Sequence, residues 1–418
     1  GRLRRAAWKV DARTAEPTEL LHAANTARWR YDFPLAERLA ASAVLAGAGF
    51  EAEFLVAKLA SLRGRDREAE RLLRDLTARA DTDARRGRVA MCRLDNIALY
   101  QGDIELGLRV ADEAETRIVE PSWRDGVRGI RIALLLAAHG PRAAAEAADE
   151  ILETVTGVGL VRACGGAAYS YGRTGQIKKA LVASAVGIAA HRDLDELADW
   201  YPWFHVLTRC MALAQDGDIL EAEKIALENR DRGVDENSLE AQAFFSWHLA
   251  QVVGERGHLT DAIQHGREAM SLFRQLGRPQ YAREAQGALI HALALAGRHI
   301  EAQALLRDLE SAGESCLPYT PSGLPIAQAW TQAATGDIRG AVAKLRGCAE
   351  SSAAAGDLVG ASAALHAVAR LGHGEQVLER LDEIAAAIEG SLACARVDHV
   401  RAQVRRDADG LERVTEDF

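Results

Sequence analysis

Three observations on the 418 residues predict an all-α solenoid of stacked helical hairpins. A glycine followed five residues later by a small apolar residue recurs at Gly64, Gly102, Gly140, Gly175, Gly217, Gly257, Gly297 and Gly336, at spacings of 35 to 42 residues. That is the scale on which helix pairs stack. Aromatic residues make up only 5% of the chain while Ala, Leu, Arg and Glu dominate, a composition that favours helix. Ahead of the glycines, apolar residues recur at three- and four-residue steps, as along Trp203 to Leu213. The expected architecture is one right-handed superhelix over residues 1–418, about ten tetratricopeptide-like repeats of roughly 39 residues, without a sheet.

Each unit reads as helix A, elbow, helix B. A degraded first elbow runs from Tyr31 to Ala36, and a last one begins at Gly372. At each elbow the glycine accepts the left-handed backbone that closes helix A. In the Gly-Asp-Ile elbows at Gly102, Gly217 and Gly336 the aspartate caps helix B or favours its start. Seven residues before the glycine stands a small residue, as at Ala57, Ala133, Ala168, Cys210, Ala250 and Ala329. With the small residue after the glycine (Ala69, Gly107, Ala145, Ala180, Ala222, Ala262, Ala302, Ala341), this lets helices A and B approach closely. Asp95 and Ile290 break the pattern in their repeats. Between Ser315 and Pro325, three prolines and a glycine predict a non-helical connection, with Tyr319 as the residue that would make it a lid.

The net charge of −9 argues against a nucleic-acid groove, which needs a concentrated cationic face. Cys92, Cys164, Cys210, Cys316, Cys348 and Cys394 stand far apart with no Cys-x-x-Cys pair, the pattern of reduced core thiols and not of a metal or redox site. No stretch has the length of a membrane span and no leader opens the chain, so the expected location is cytoplasmic. The chain starts inside a helical pattern and stops without a polar capping segment, and is therefore expected to be part of a longer one.

The repeat period, the stretch Ala27-Arg-Trp-Arg-Tyr-Asp-Phe-Pro-Leu-Ala-Glu-Arg-Leu-Ala40, the stretch Ala46-Gly-Ala-Gly-Phe50 and the run from Pro202-Trp203 to Gly217 resemble one family. It is the superhelical arm of the large ATP-dependent LuxR-type transcriptional regulators, relatives of the enteric maltose activator. In that family a signal-transducing ATPase module precedes the arm and a DNA-binding helix-turn-helix follows it. Neither is present here, and no Gly-x-x-x-x-Gly-Lys-Ser/Thr loop occurs, so ATP is expected only in a module outside this segment. The resemblance implies a sensor: a small inducer, a sugar in the maltose relative, binds the arm and releases the ATPase module.

The concave wall of such a solenoid takes helix A residues about two, three, six, ten and thirteen positions before the elbow glycine. These offsets select Asn96 and Tyr100; Arg162, Tyr169 and Arg173; Phe204 and Gln215; Phe244, Trp247, Gln251 and Glu255; Glu284 and His291; and Trp330. Rings beside amides, guanidinium and carboxylate suit a carbohydrate, stacking on its C–H faces and replacing water at its hydroxyls. The aromatics are densest at Trp200, Trp203 and Phe204 with Phe244, Phe245 and Trp247 one repeat later. Phe245 reads as core. Trp203 and Trp247 are preferred as wall residues over Phe204 and Phe244, because an indole N–H needs a partner.

Histidines are read as solvated or capping, since the pairs His258/His265 and His366/His373 lack further ligands at zinc spacing; His291 alone coincides with the wall. The acidic run Asp193 to Asp199 reads as a helix start and not as catalytic carboxylates. The leading expectation is a non-enzymatic sensor domain that binds a small polar metabolite, with a sugar foremost, and that acts on other modules of the same regulator. The alternative is a protein- or peptide-binding scaffold, which would show a continuous row of Lys, Arg or Asn across successive repeats. A third reading, an all-α hydrolase or lyase, requires two carboxylates facing one pocket.

Overall fold

The computed structural model describes residues 16–97, 102–194, 201–311 and 321–417. Among these residues every regular element is a helix and no strand occurs. The first repeats comprise α1 (Pro17–Arg28), α2 (Phe33–Leu45), α3 (Phe50–Leu62), α4 (Asp66–Arg79), α5 (Asp83–Asn96), α6 (Ile104–Arg117), α7 (Pro121–His139) and α8 (Pro141–Ile151). The central ones comprise α9 (Gly157–Arg173), α10 (Ile177–Arg192), α11 (Tyr201–Asp216), α12 (Ile219–Asp235), α13 (Leu239–Glu255) and α14 (Leu259–Gln275). Then follow α15 (Pro279–Leu295), α16 (His299–Ser311), α17 (Gly323–Ala334), α18 (Ile338–Ala355), α19 (Leu358–Val368), α20 (Leu378–Ala385), α21 (Ser391–Arg405) and α22 (Ala408–Asp417). Helices with odd numbers form the inner layer from α3 onward.

The elbows form as the sequence predicts except at Gly140, whose φ of +87° and ψ of −177° lie outside the left-handed helical region. At Gly257, with φ +81°, the amide of His258 reaches the Val253 carbonyl at 3.0 Å and the amide of Gly257 reaches Gly254 at 3.1 Å. This is the hydrogen-bond pair that closes a helix on a left-handed residue. The two end repeats manage without glycine: Tyr31 (φ +57°) and Arg406 (φ +55°) hold the same position. Asp103 and Asp337 cap their helices by accepting the amides of Leu106 and Gly340. Asp218 stands at the same place without a side-chain bond, so only its charge favours the start of α12.

The small residues flanking the elbows are buried where helices meet. Ala57, Cys210, Ala329, Ala69, Ala222, Ala262 and Ala341 are fully enclosed, and a methyl placed on Gly107 would come within 2.6 Å of Leu134. Ala133 is the exception: α8 starts at Pro141 directly after Gly140, and this shortened elbow leaves Ile132 and Leu134 as the buried residues instead. Ile290 is accepted whole into the core, and Asp95 is answered by Arg162.

Two local expectations are corrected. Gly323 to Pro325 open α17, because a proline in the first turn forfeits no helical hydrogen bond; Tyr319 lies outside the described residues. Asp193 closes α10 and does not open a helix, while Leu194 is bonded back to His191; the rest of the run, to Asp199, lies outside the described residues. Cys164, Cys210 and Cys348 are buried free thiols, Cys92 is half-buried and Cys394 exposed; Cys316 lies outside the described residues. Burial pushes the thiols of Cys164 and Cys210 up to about 12, which keeps them protonated and inert. No described helix is long and apolar enough to cross a membrane.

The coil returns on itself. Arg142 donates to the Ala353 carbonyl and Glu389 accepts the Lys178 amide, both across 211 residues. Arg278 donates to the Leu62 carbonyl across 216. At about 39 residues per repeat, one turn takes roughly five and a half repeats. The C-terminal helices therefore sit against α9 to α11 and close the groove into a channel.

Candidate ligand-binding site

Seven inner helices, α9, α11, α13, α15, α17, α19 and α21, bring residues to one cavity of about 290 Å3. Tyr169, Arg173, Gln215, Trp247, Gln251, Glu284, His291 and Trp330 all line it, as does Glu255. They come from four inner helices separated in sequence and from α17 beyond them, and meet because the offset from each elbow places them on the inner face at similar depth. Met211, Ile326 and Leu295 supply apolar surface between them.

The polar groups fall into two sets. Trp247 Nε1 and His291 Nε2 are buried with no hydrogen-bond partner among the described residues, as are both ring nitrogens of His248. A buried donor left unmet costs about 1 to 3 kcal/mol, so a ligand that meets it is favoured by a similar amount. The second set is charged. Arg173 Nη2 donates to Asp357 at 2.5 Å and to Ser322 Oγ at 3.1 Å, and Arg396 lies 3.6 Å from Glu255. The Arg370 guanidinium lies 4.8 Å from the Trp330 ring centre, and the His291 ring tilts against the same indole at 6.3 Å.

Burial dominates the protonation of these groups. It pushes the Glu284 carboxyl up to about 7 against the opposing pull of Arg283 and Arg173. It holds the His248 and His291 imidazoles down to about 4, for His291 with help from the Arg370 charge. His366, whose Nε2 meets His399 Nδ1 at 3.0 Å, is held well below its ordinary value by burial and then by the Arg396 charge. The channel thus carries neutral imidazoles suited to hydrogen bonding. No cluster of three metal-ligating residues occurs among the described residues.

Five predicted wall residues sit elsewhere, among them Phe204, which packs against the core. Trp203 is core, with its ring edge-on to Phe245 at 6.4 Å and its Nε1 3.4 Å from the Tyr31 hydroxyl. Its offset is fourteen residues, just past the wall positions, which turns it between layers. Asn96 is fully buried and donates to the Asp66 carbonyl at 2.9 Å, tying α5 to the start of α4. Arg162 holds Asp95 through two bonds of 2.6 and 2.9 Å, a brace between α9 and α5 outside the cavity. Phe244 packs against Phe273 and Tyr281 in the core. Tyr100 and Trp200 lie outside the described residues.

His366, Arg370 and Arg396 also line the cavity and were not among the predicted residues. The signal was present. Counting back two and six residues from Gly372 gives Arg370 and His366, and counting ten back from Arg406, which takes the place of the missing elbow glycine, gives Arg396.

No family model matches this chain, and no curated protein matches it. Among solved structures, a Rap protein complexed with competence and sporulation factor is 10% identical, with 88% of this chain and 99% of that chain covered and a TM-score of 0.48. A signal transduction ATPase with numerous domains that carries a tetratricopeptide repeat sensor, from Pyrococcus horikoshii, is 13% identical at a TM-score of 0.43, covering 88% of this chain and 54% of that one. Yeast Tom70 is 11% identical at 0.31, covering 100% of this chain and 95% of that one. Such loose superpositions assign no ligand or partner; the helical-repeat architecture rests on this chain's own helices, elbows and channel.

Proposed function

We propose that this chain is a binding module, not an enzyme, that receives a compact polar ligand in the channel between its inner helices and serves as the sensor arm of a larger regulator. The observation that carries the reading is the convergence of Trp247, Trp330 and Tyr169 with the unmet Trp247 Nε1 donor and the unpartnered His291 Nε2 round one partly enclosed cavity. Aromatic faces with a few fixed polar groups are what a small-molecule site offers. A volume of about 290 Å3 suits a sugar or metabolite better than a long peptide laid along an open groove. The regulator context comes from the resemblance to LuxR-type arms and supplies the role, not the ligand.

A short peptide is the second reading, and one observation favours it. Arg370 and Arg396 stand on successive inner segments and Arg173 faces them, a closer approach to the cationic row of a peptide groove than the sequence showed. Glu255 and Glu284 also share the cavity, the arrangement a hydrolase requires. Glu255 lies near Arg396 and is 44% exposed, which suits a structural carboxylate better than a buried acid.

Calorimetric titration with neutral oligosaccharides and with tri- to pentapeptides separates these readings. The expected result is saturable one-to-one binding of a compact ligand, weakened about tenfold or more by Trp247→Ala, with the ligand recovered unchanged. Binding that Trp247→Ala does not affect would remove the channel as the site, and turnover of the ligand would replace the sensor reading by catalysis.

A further inference from the structure

The three arginines of the channel are not equally matched by acids. Arg173 is answered by Asp357, which is itself fully buried. Arg396 is buried to 6% exposure, yet its nearest carboxylate, Glu255, stands at 3.6 Å, too far for a hydrogen bond. Arg370 has no carboxylate within ion-pair distance among the described residues; its guanidinium is held only over the face of Trp330. Several other arginines are paired at hydrogen-bond distance, as in Arg93 with Glu70 at 2.7 Å and Arg131 with Glu115 at 2.7 Å. Two cations left under-matched on one wall of a partly enclosed cavity repel each other and raise the local potential.

The buried acid of the cavity, Glu284, does little to offset them. Burial raises Glu284 to about 7, so near neutral pH it bears only part of a charge, and that part faces Arg283 and Arg173. Burial first, and then the charges of Arg396 and Arg370, hold His366 in its neutral form, so it adds no competing charge to this wall. The Arg370 guanidinium lies over the Trp330 ring, and a guanidinium presents a fork of N–H groups that can donate in parallel to two oxygens.

We propose that Arg370 and Arg396 form an anion subsite at the C-terminal wall of the channel, which receives a carboxylate or phosphate carried by the polar ligand. The proposal deepens the receptor reading and rests on it: the ligand body lies along Trp247 and Trp330, and its anionic group is gripped by the two guanidiniums.

Inorganic phosphate tests the subsite without knowledge of the ligand. Titrated into the full chain near neutral pH and followed by tryptophan fluorescence and calorimetry, it binds at one site with a dissociation constant on the order of 1 mM. Arg370→Gln weakens this about tenfold or more, whereas Arg109→Gln, on the outer helix α6 and 62% exposed, leaves it unchanged. Arg396→Gln gives the same loss as Arg370→Gln; because Arg396 is buried and its removal can unfold the wall, the exposed Arg370 decides the matter. Absence of saturable phosphate binding, or equal binding by Arg370→Gln and Arg109→Gln, overturns the subsite.

A second arm compares glucose, glucose 6-phosphate, glucuronate and short peptides with free or amidated C-termini. Preference for the phosphorylated or acidic sugar, lost in Arg370→Gln, identifies a metabolite anion; preference for the free peptide terminus identifies a peptide. A neutral sugar that binds the wild type and Arg370→Gln alike sinks the subsite while the receptor reading survives. Phosphate binding with no response to any larger probe sinks the receptor reading instead.

Discussion

Replacing Asp357 by alanine removes two acceptors at once. Its Oδ1 accepts the Gly360 amide at 2.9 Å and so caps α19, and its Oδ2 takes Arg173 Nη2 at 2.5 Å across 184 residues. Loss of an N-cap costs about 1 kcal/mol. Stranding the partner of a fully buried ion pair costs about 3 to 5 kcal/mol. Arg173 keeps Ser322 as an acceptor and its side chain is 23% exposed, so the stranded charge is partly solvated and the ionic share falls to about 2 kcal/mol. Asp357→Ala is therefore expected to cost about 3 kcal/mol, Asp357→Asn about 2 because the amide oxygen still caps, and Asp357→Ala in an Arg173→Ala background about 1. Urea unfolding gives the global values. Because a solenoid can open piecewise, hydrogen exchange of the first turn of α19 gives the local ones. If Asp357→Ala costs the same with and without Arg173, the latch between α9 and α19 contributes nothing and the reasoning fails.

The two preferred tryptophans should separate cleanly. Trp203→Ala removes a core ring and is expected to cost about 3 to 5 kcal/mol in urea unfolding while ligand affinity of the folded protein holds; Trp247→Ala should lower affinity by the larger margin, and the reverse pattern would restore Trp203 to the site. Stability should also fall in acid, with a sign set by two opposed groups. Burial depresses the His205 imidazole to about 3 and the His248 imidazole to about 4, so below about 6.5 the unfolded chain takes up protons that the folded one refuses. Their stabilisation, full above that pH, is lost toward about 3 for His205 and about 4 for His248, at up to about 1.4 kcal/mol per pH unit each. Glu284, raised to about 7, is protonated first in the folded state and so favours folding as pH drops from about 7 to about 4.5. Glu284→Gln should steepen the acid loss of the urea midpoint between about pH 6.5 and 5; a flatter profile would contradict the assignment. Finally, Asn tolerates left-handed backbone, so Gly257→Asn, which meets nothing within 4 Å, should be nearly neutral, whereas Gly64→Asn, 2.6 Å from the Gly277 carbonyl, should loosen hydrogen-exchange protection around Gly277.

Fold and wall were legible in the sequence for one reason: both depend on distance from an elbow, and the elbow has a chemical signature. The ruler that selected Trp247 and His291 works because a helix turns through a fixed angle per residue. It fails at Asn96 and Arg162 for a different cause. These occupy wall offsets in repeats where the channel is filled by structure: Arg162 by its pairing with Asp95, Asn96 by its bond to the Asp66 carbonyl. Neither partner is a neighbour in sequence, so the offsets alone cannot distinguish a free wall position from an occupied one. Trp203 fails by one residue, which on a helix is a rotation of about 100° and suffices to carry an indole from the channel into the core. Arg370, His366 and Arg396 were missed because their elbows are the two least typical, one lying inside a π-helical segment, Ala369–His373, and one without glycine.

What no local pattern encodes is which repeats meet after a full turn. The pairings at 211 and 216 residues depend on a small rotation accumulated at each repeat, and a change of a few degrees per unit would bring different helices opposite α9. The glycines record that pitch indirectly. Gly257, Gly297 and Gly336 have open space where a side chain would stand, so left-handed backbone alone requires them. Gly64 and Gly175 are crowded as well: a methyl group would lie 2.6 Å from the Gly277 carbonyl in the first case and 2.9 Å from the Ile388 backbone in the second. At those two elbows the missing side chain also lets the next turn close, and that closure carries Arg370 and Arg396 to the wall facing Arg173. The partly enclosed site is thus a consequence of pitch: the same inner residues on a more open coil would line a groove, and the buried Arg396 guanidinium would face solvent beside Arg370.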